Sequence, residues 1–178
     1  EMTGWLARQV EMPKQFMIRS PLQVSKSRVL WKKDGDVAFA GDLRIAGGPQ
    51  ISFDLVRGPE TLVAKEILIV DGDRRARITV ALKKDNVAFS FNGELDQATL
   101  NRIFQTPLLE GSLIQGDIEV NAINGTPLQF TARGRLAGRE LWVPLKDESA
   151  VVEFFFLEVD ANAVNVRSAK VRWRDSQL

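Results

Sequence analysis

Apolar and polar residues alternate along most of this chain. Residues 37–45 read V-A-F-A-G-D-L-R-I, which puts Val37, Phe39, Leu43 and Ile45 on one side and Asp42 and Arg44 on the other. The pattern returns at Ile51, Phe53 and Leu55, at Ile78, Val80 and Leu82, and at Val87, Phe89 and Phe91. It returns again at Ile114, Ile118 and Val120, then at Leu128, Phe130 and Leu136. A period of two marks strands with one buried and one wet face. Strands are predicted at about 28–32, 36–45, 50–56, 62–70, 76–83 and 86–95, then at 112–122, 127–136, 140–144, 151–159 and 163–173.

The punctuation between these runs is that of hairpins. Asp34-Gly35, Gly47-Gly48-Pro49, Asp71-Gly72, Asp85-Asn86 and Asn124-Gly125 supply residues that tolerate positive φ. One helix is expected at about 97–105. Asp96 can cap its first turn, Leu95 and Leu100 have the spacing of a hydrophobic staple, and Thr106-Pro107 stops it. Leu100, Ile103 and Phe104 give it one apolar stripe, suited to plugging one end of the sheet. In the last strand Val164 and Val166 are even while Ala169, Val171 and Trp173 are odd, so a bulge is predicted near Arg167–Ser168. Residues 1–27, broken by Pro13 and Pro21, read as an irregular entry segment with at most one or two short strands, and 28–178 as one β domain.

A weak repeat runs through that domain. The stretch Asp34-Gly35-Asp36-Val37-Ala38-Phe39 resembles Lys84-Asp85-Asn86-Val87-Ala88-Phe89. Glycine followed by a charged residue and Leu or Ile recurs at Gly41, Gly93, Gly116 and Gly134. Glycine inside a strand often marks a bend, and a sheet bent repeatedly curls. The predicted fold class is therefore mostly β: a curled antiparallel sheet, a β-groove or partial barrel, with one short helix.

Composition removes most chemistry. The chain of 178 residues has no His, Cys or Tyr, and its net charge is +1. A Ser–His–Asp triad, a thiolate nucleophile and disulfides are excluded, and bulk charge does not favour nucleic acid. Ser25-Lys26 reads as a surface neighbour pair rather than a dyad. The pairs Glu158/Asp160 and Glu94/Asp96 read as solvated acids rather than a glycosidase couple. Asp71-Gly72-Asp73 and Asp34-Gly35-Asp36 lack the spaced ligands of a calcium loop. No catalytic residue, metal site or cofactor is expected. Trp5, Trp31, Trp142 and Trp173 suit core or sheet-edge packing, or ligand stacking. Lys170, Arg172 and Arg174 line one face of the final strand, as edge protection or as a basic rim for lipid phosphates. No run approaches the ~18 apolar residues of a membrane helix. The chain opens on Glu1 rather than Met, so it is expected to be a fragment of a longer protein, anchored to a membrane only through segments outside it.

What remains is the apolar face: Val37, Phe39, Leu43, Ile45, Ile51, Phe53, Leu55, Ile78, Val80, Leu82, Val87, Phe89, Phe91, Ile118, Val120, Leu128, Phe130 and Leu136. Closed over, it is a core; left open, it is a groove and a binding site. An acyl chain gains ~0.8 kcal/mol per buried CH₂, roughly 10 kcal/mol gross for one chain.

The run from Phe89 through Asn92-Gly93-Glu94-Leu95-Asp96-Gln97-Ala98-Thr99-Leu100 to Phe104 is followed by Leu109-Glu110-Gly111-Ser112-Leu113 and Gly116-Asp117-Ile118. Pro127 to Leu136 and Val164 to Ser176 complete the pattern. Together these segments resemble the C-terminal repetitive region of AsmA-like proteins, related to TamB-type envelope proteins. The likeness is best over about 85–178 and looser over 28–84. It implies a periplasmic, inner-membrane-anchored protein with an apolar β-groove for phospholipid transport or outer-membrane biogenesis. Its partners would be phospholipid acyl chains and other envelope proteins, with no catalytic residues to carry over. The competing expectation is a closed, non-catalytic β-sandwich or jelly roll that binds protein or carbohydrate through its loops.

Overall fold

Except across the helix between the sixth and seventh strands, consecutive strands are joined by connections of five residues or fewer, too short for a parallel crossover. In the computed structural model, which describes residues 18–32, 35–105, 110–124, 129–145, 148–160 and 163–173, this produces a serial meander. Its strands are β1 (Leu22–Trp31), β2 (Val37–Ile45), β3 (Gln50–Arg57), β4 (Leu62–Asp71), β5 (Arg74–Lys83) and β6 (Asn86–Asp96). Helix α1 (Gln97–Ile103) follows, then β7 (Leu113–Ile123), β8 (Gln129–Leu145), β9 (Glu148–Asp160) and β10 (Ala163–Trp173). All ten lie in one sheet, in the order of the sequence. The sheet does not close into a barrel, so among the described residues β1 and β10 are its two edges.

Turn chemistry sets the register. Gly72 takes φ +60° between β4 and β5, a conformation that Cβ-bearing residues resist, and its neighbours Asp71 and Arg74 face each other across the ladder. The turn at Lys84–Asp85 differs from expectation. No described non-glycine residue except Lys26 and Glu140 has positive φ, so this hairpin closes without a left-handed residue.

The glycines within strands mark close backbone approach. Gly93 faces Gly116 across β6 and β7, with φ of +128° and +151°. A Cβ on Gly93 would run into the carbonyl oxygen of Arg75 on β5, and one on Gly116 into that of Arg135 on β8. Only glycine allows the backbones to meet there, at the middle of the sheet.

Bulges interrupt the ladder and bend the strands locally. The ladder slips between Ser25 and Arg28 in β1, between Ala64 and Ile67 in β4, and between Val166 and Ser168 in β10. The last is where the reversal of apolar phase from even to odd residues requires it.

Two boundaries are corrected. Residues 22–27 belong to β1 rather than to an irregular entry segment, because Leu22–Ser25 pair with Asp42–Ile45 of β2 and Lys26 and Ser27 form the bulge that leads on to Arg28. The expected strands at 127–136 and 140–144 are one strand, β8, paired continuously with β7 through Arg139 and with β9 on both sides of Glu140. Asp34, Thr106-Pro107, Gly125 and most of the entry segment fall outside the described residues.

Candidate functional site: an apolar face with one covered lip

Residues opposite each other in an antiparallel ladder project to the same side of the sheet. One row can therefore be followed across all ten strands: Val24, Leu43, Ile51, Ile69, Ala76, Gly93, Gly116, Leu136, Leu157 and Val166. It contains no polar side chain. The row on the reverse side is Ser25, Asp42, Ser52, Leu68, Arg77, Asn92, Asp117, Arg135, Glu158 and Asn165, with Leu68 its one apolar member. The sheet thus has an oily side and a more polar side, although Val56 and Val63 of β3 and β4 and Phe154 and Phe156 of β9 also lie on the polar side.

Register places every described candidate of the apolar set on the oily surface, from Val37 on β2 to Leu136 on β8. Leu128 lies outside the described residues. Simple alternation misses several members. Ala64, Ile67 and Ile69 join the face from β4, where Lys65 and Glu66 shift the phase. Val24 and Val29 join from β1 across its bulge, and Leu157, Val159, Val164 and Val166 from β9 and β10. Allowing one phase slip per strand brings them into the pattern.

The face is unevenly covered. Ile45, Ile51, Ile69, Ala76, Phe91 and Leu95 are buried together with Leu100 and Ile103 of α1. The helix lies along one lip, from Asp96 at the end of β6 past Asp71 to the turn at Gly48, which approaches the carbonyl of Arg102. Further from the helix the exposure of the same face is mixed: Ala64 and Ala132, in the row of Phe89, stay buried, while larger side chains protrude. Phe91 is 3% exposed, while Phe89, two residues away on the same strand and side, is 36% exposed. Phe39, Leu62 and Val87 are exposed on that opposite lip, and Trp31 on edge β1 is 80% exposed.

Polar contacts pin the helix to the sheet. Asp96 caps it, accepting from the Thr99 N–H at 2.9 Å, and pairs with Arg74 at 2.6 Å. Burial by itself would raise the Asp96 carboxyl. The Thr99 N–H and the guanidiniums of Arg74 and Arg102 outweigh it and hold the group below its ordinary value. Asp71 accepts from the Thr99 hydroxyl at 2.7 Å and from Arg102. At the helix C-terminus, Arg19 donates to the carbonyl of Phe104 at 2.8 Å and Gln105 to that of Ile18 at 2.9 Å.

The groups weighed for chemistry are absorbed by ion pairs. Lys26 pairs with Asp42, Glu94 with Arg74, and Glu158 with Arg167. Among the described residues no cluster of three or more acidic groups could hold a metal ion, and no helix is long and apolar enough to cross a membrane. Lys170 and Arg172 stand on the charged side of β10, both paired with Glu153, whose carboxyl the Lys170 ammonium holds below its ordinary value. Arg174 and Trp5 lie outside the described residues. Trp31 and Trp173 sit on the two edge strands.

What this arrangement can do is exclude water from an elongated apolar guest. Compared with family models, with curated proteins and with solved structures, the chain matches none.

Proposed function

We propose that the oily surface is a trough for the acyl chains of phospholipids. In this reading the chain is a non-enzymatic segment of an AsmA-like envelope protein, periplasmic and held at the inner membrane by other segments. Its role is phospholipid transport or outer-membrane biogenesis. The observation that carries the reading is the row of apolar positions crossing all ten strands with no second sheet over it among the described residues. Acyl chains would lie along that face, with headgroups at the open lip around Phe39, Leu62 and Val87. Transport of this kind needs no nucleophile and no proton transfer. The closed-module alternative calls for a second layer covering the face, and the unbroken order of the ladder gives it no support.

The test is a fluorescent fatty-acyl probe titrated into the purified chain, with mass spectrometry of the lipids that copurify. Saturable binding, displaced by a phospholipid and not by a soluble headgroup analogue, is the expected result. Absence of both probe binding and copurified lipid would remove the acyl-chain reading.

A further inference from the structure

The charged surface of the sheet is a ladder of opposite charges between neighbouring strands. Asp54 on β3 pairs with Lys65 on β4, Glu66 on β4 with Arg77 on β5, and Glu119 on β7 with Arg133 on β8. At the last step β9 supplies the acids and β10 the bases. Glu158 pairs with Arg167 at 2.7 Å, and Glu153 takes both Lys170 at 2.6 Å and Arg172 at 3.7 Å. Two cations sharing one carboxylate leave positive charge at the rim.

Neither edge strand contains an Asp or Glu. Each is exposed along its whole length, and each has apolar residues on the oily side: Val24 and Val29 in β1, Val164 and Val171 in β10. Among the described residues no strand pairs with the outer side of β10. With ten strands the two edges run in opposite directions, so β1 of a second copy would fit β10 antiparallel. Charge opposes that union, because Lys26 and Arg28 of β1 would approach Arg167, Lys170 and Arg172. Like charges on adjacent strands destabilise pairing.

We propose that the outer edge of β10 docks an extended segment of a partner protein in which apolar and acidic residues alternate. Its carboxylates would continue the charge ladder on the side of Lys170 and Arg172. Its apolar residues would extend the oily face beyond Val164 and Val171. The added strand supplies main-chain hydrogen bonds, and the alternating side chains supply selectivity. This inference stands on the ladder and does not depend on whether the trough holds lipid.

The experiment uses the full 178-residue chain and two short labelled peptides, one alternating Val and Glu, the other Val and Lys. Binding is read by anisotropy and located by amide hydrogen exchange. The Val–Glu peptide is expected to bind about tenfold or more tighter than the Val–Lys peptide, to weaken with salt, and to protect the amides of β10. The double variant Lys170→Glu, Arg172→Glu is expected to reverse the preference, a result that an unfolded variant would not give. Equal binding of the two peptides, no binding of either, or protection confined to strands other than β10 would overturn the proposal. Protection of β10 by phosphatidylglycerol vesicles but not by the Val–Glu peptide would also overturn it, in favour of a membrane surface.

Discussion

Asp96 joins the sheet to the helix through a handful of atoms. It caps α1 through the Thr99 N–H and holds Arg74 of β5. Replacing it with Ala is expected to cost about 1 kcal/mol at neutral pH, as for other capping residues, read as a lower melting temperature. Because the folded carboxyl lies below its ordinary value of 3.8, its contribution is complete above that value and is lost as pH falls through the folded one. The gap in melting temperature between the native chain and Asp96→Ala should therefore narrow below about pH 4 and stay constant above about pH 5. Glycines give a second contrast. Gly93→Ala drives a Cβ into backbone on β5 and should cost several kcal/mol. At Gly72 nothing lies within 4 Å of such a Cβ, so Gly72→Ala should cost only the ~1–2 kcal/mol of its left-handed backbone. Denaturant midpoints that rank the two the other way would show that the close approach of β5 and β6 at Gly93 is wrong.

Seven residues are too few for a helix to stand alone in water. Helix α1 exists because Leu100 and Ile103 are buried against the end of the oily face. Either residue replaced by Ala should cost roughly 2–4 kcal/mol. The associated rise in amide exchange should appear at the helix ends of β2, β3, β4 and β5, and leave the β8–β9 pair unchanged. The helix is legible in the sequence because its cap, staple and stripe are all local. Strand β8 is not legible as one element, since Ala137-Gly138-Arg139 looks like a break between two strands. In the fold Gly138 makes room for the ring of Phe155, which would strike a Cβ there, and the ladder to β9 carries the strand on to Leu145. The start of β1 is hidden for a related reason. Its slip at Lys26, where φ is +50°, moves the apolar phase from Val24 to Val29, and only the partner strand reveals it.

A sheet this broad, with no second layer among the described residues, leaves its oily face neither core nor open surface, but a mixture of the two. Phe91 and Phe89 sample the two conditions. Phe91→Glu buries an unpaired carboxylate in the helix-covered cluster and should cost several kcal/mol, enough to unfold a domain of ordinary stability. Phe89→Glu places the charge where the side chain reaches water, so the fold should survive with a modest loss while acyl-probe binding falls. Thermal melts and the probe titration together separate the cases. Equal and severe unfolding of both variants would mean that the face is closed core throughout and would count against the trough.

Periodicity, turn residues and a cap are short-range properties, and by themselves they determine most of the strands, the helix and the sidedness of most apolar residues. Val37, Phe39, Phe53, Val80, Phe89, Phe91 and Phe130 share a side because alternation is a property of the extended backbone itself. Tertiary structure decides the rest. It alone determines where a strand slips phase, because a bulge is defined by the residue across the ladder, as at Ala64 opposite Leu55. It alone makes Phe91 buried and Phe89 more exposed, because alternation says which side a residue faces but not how far the helix after β6 folds back over that side. It also leaves β1 and β10 as edges, since alternation says which residues share a side but not whether another strand will come to lie beside them.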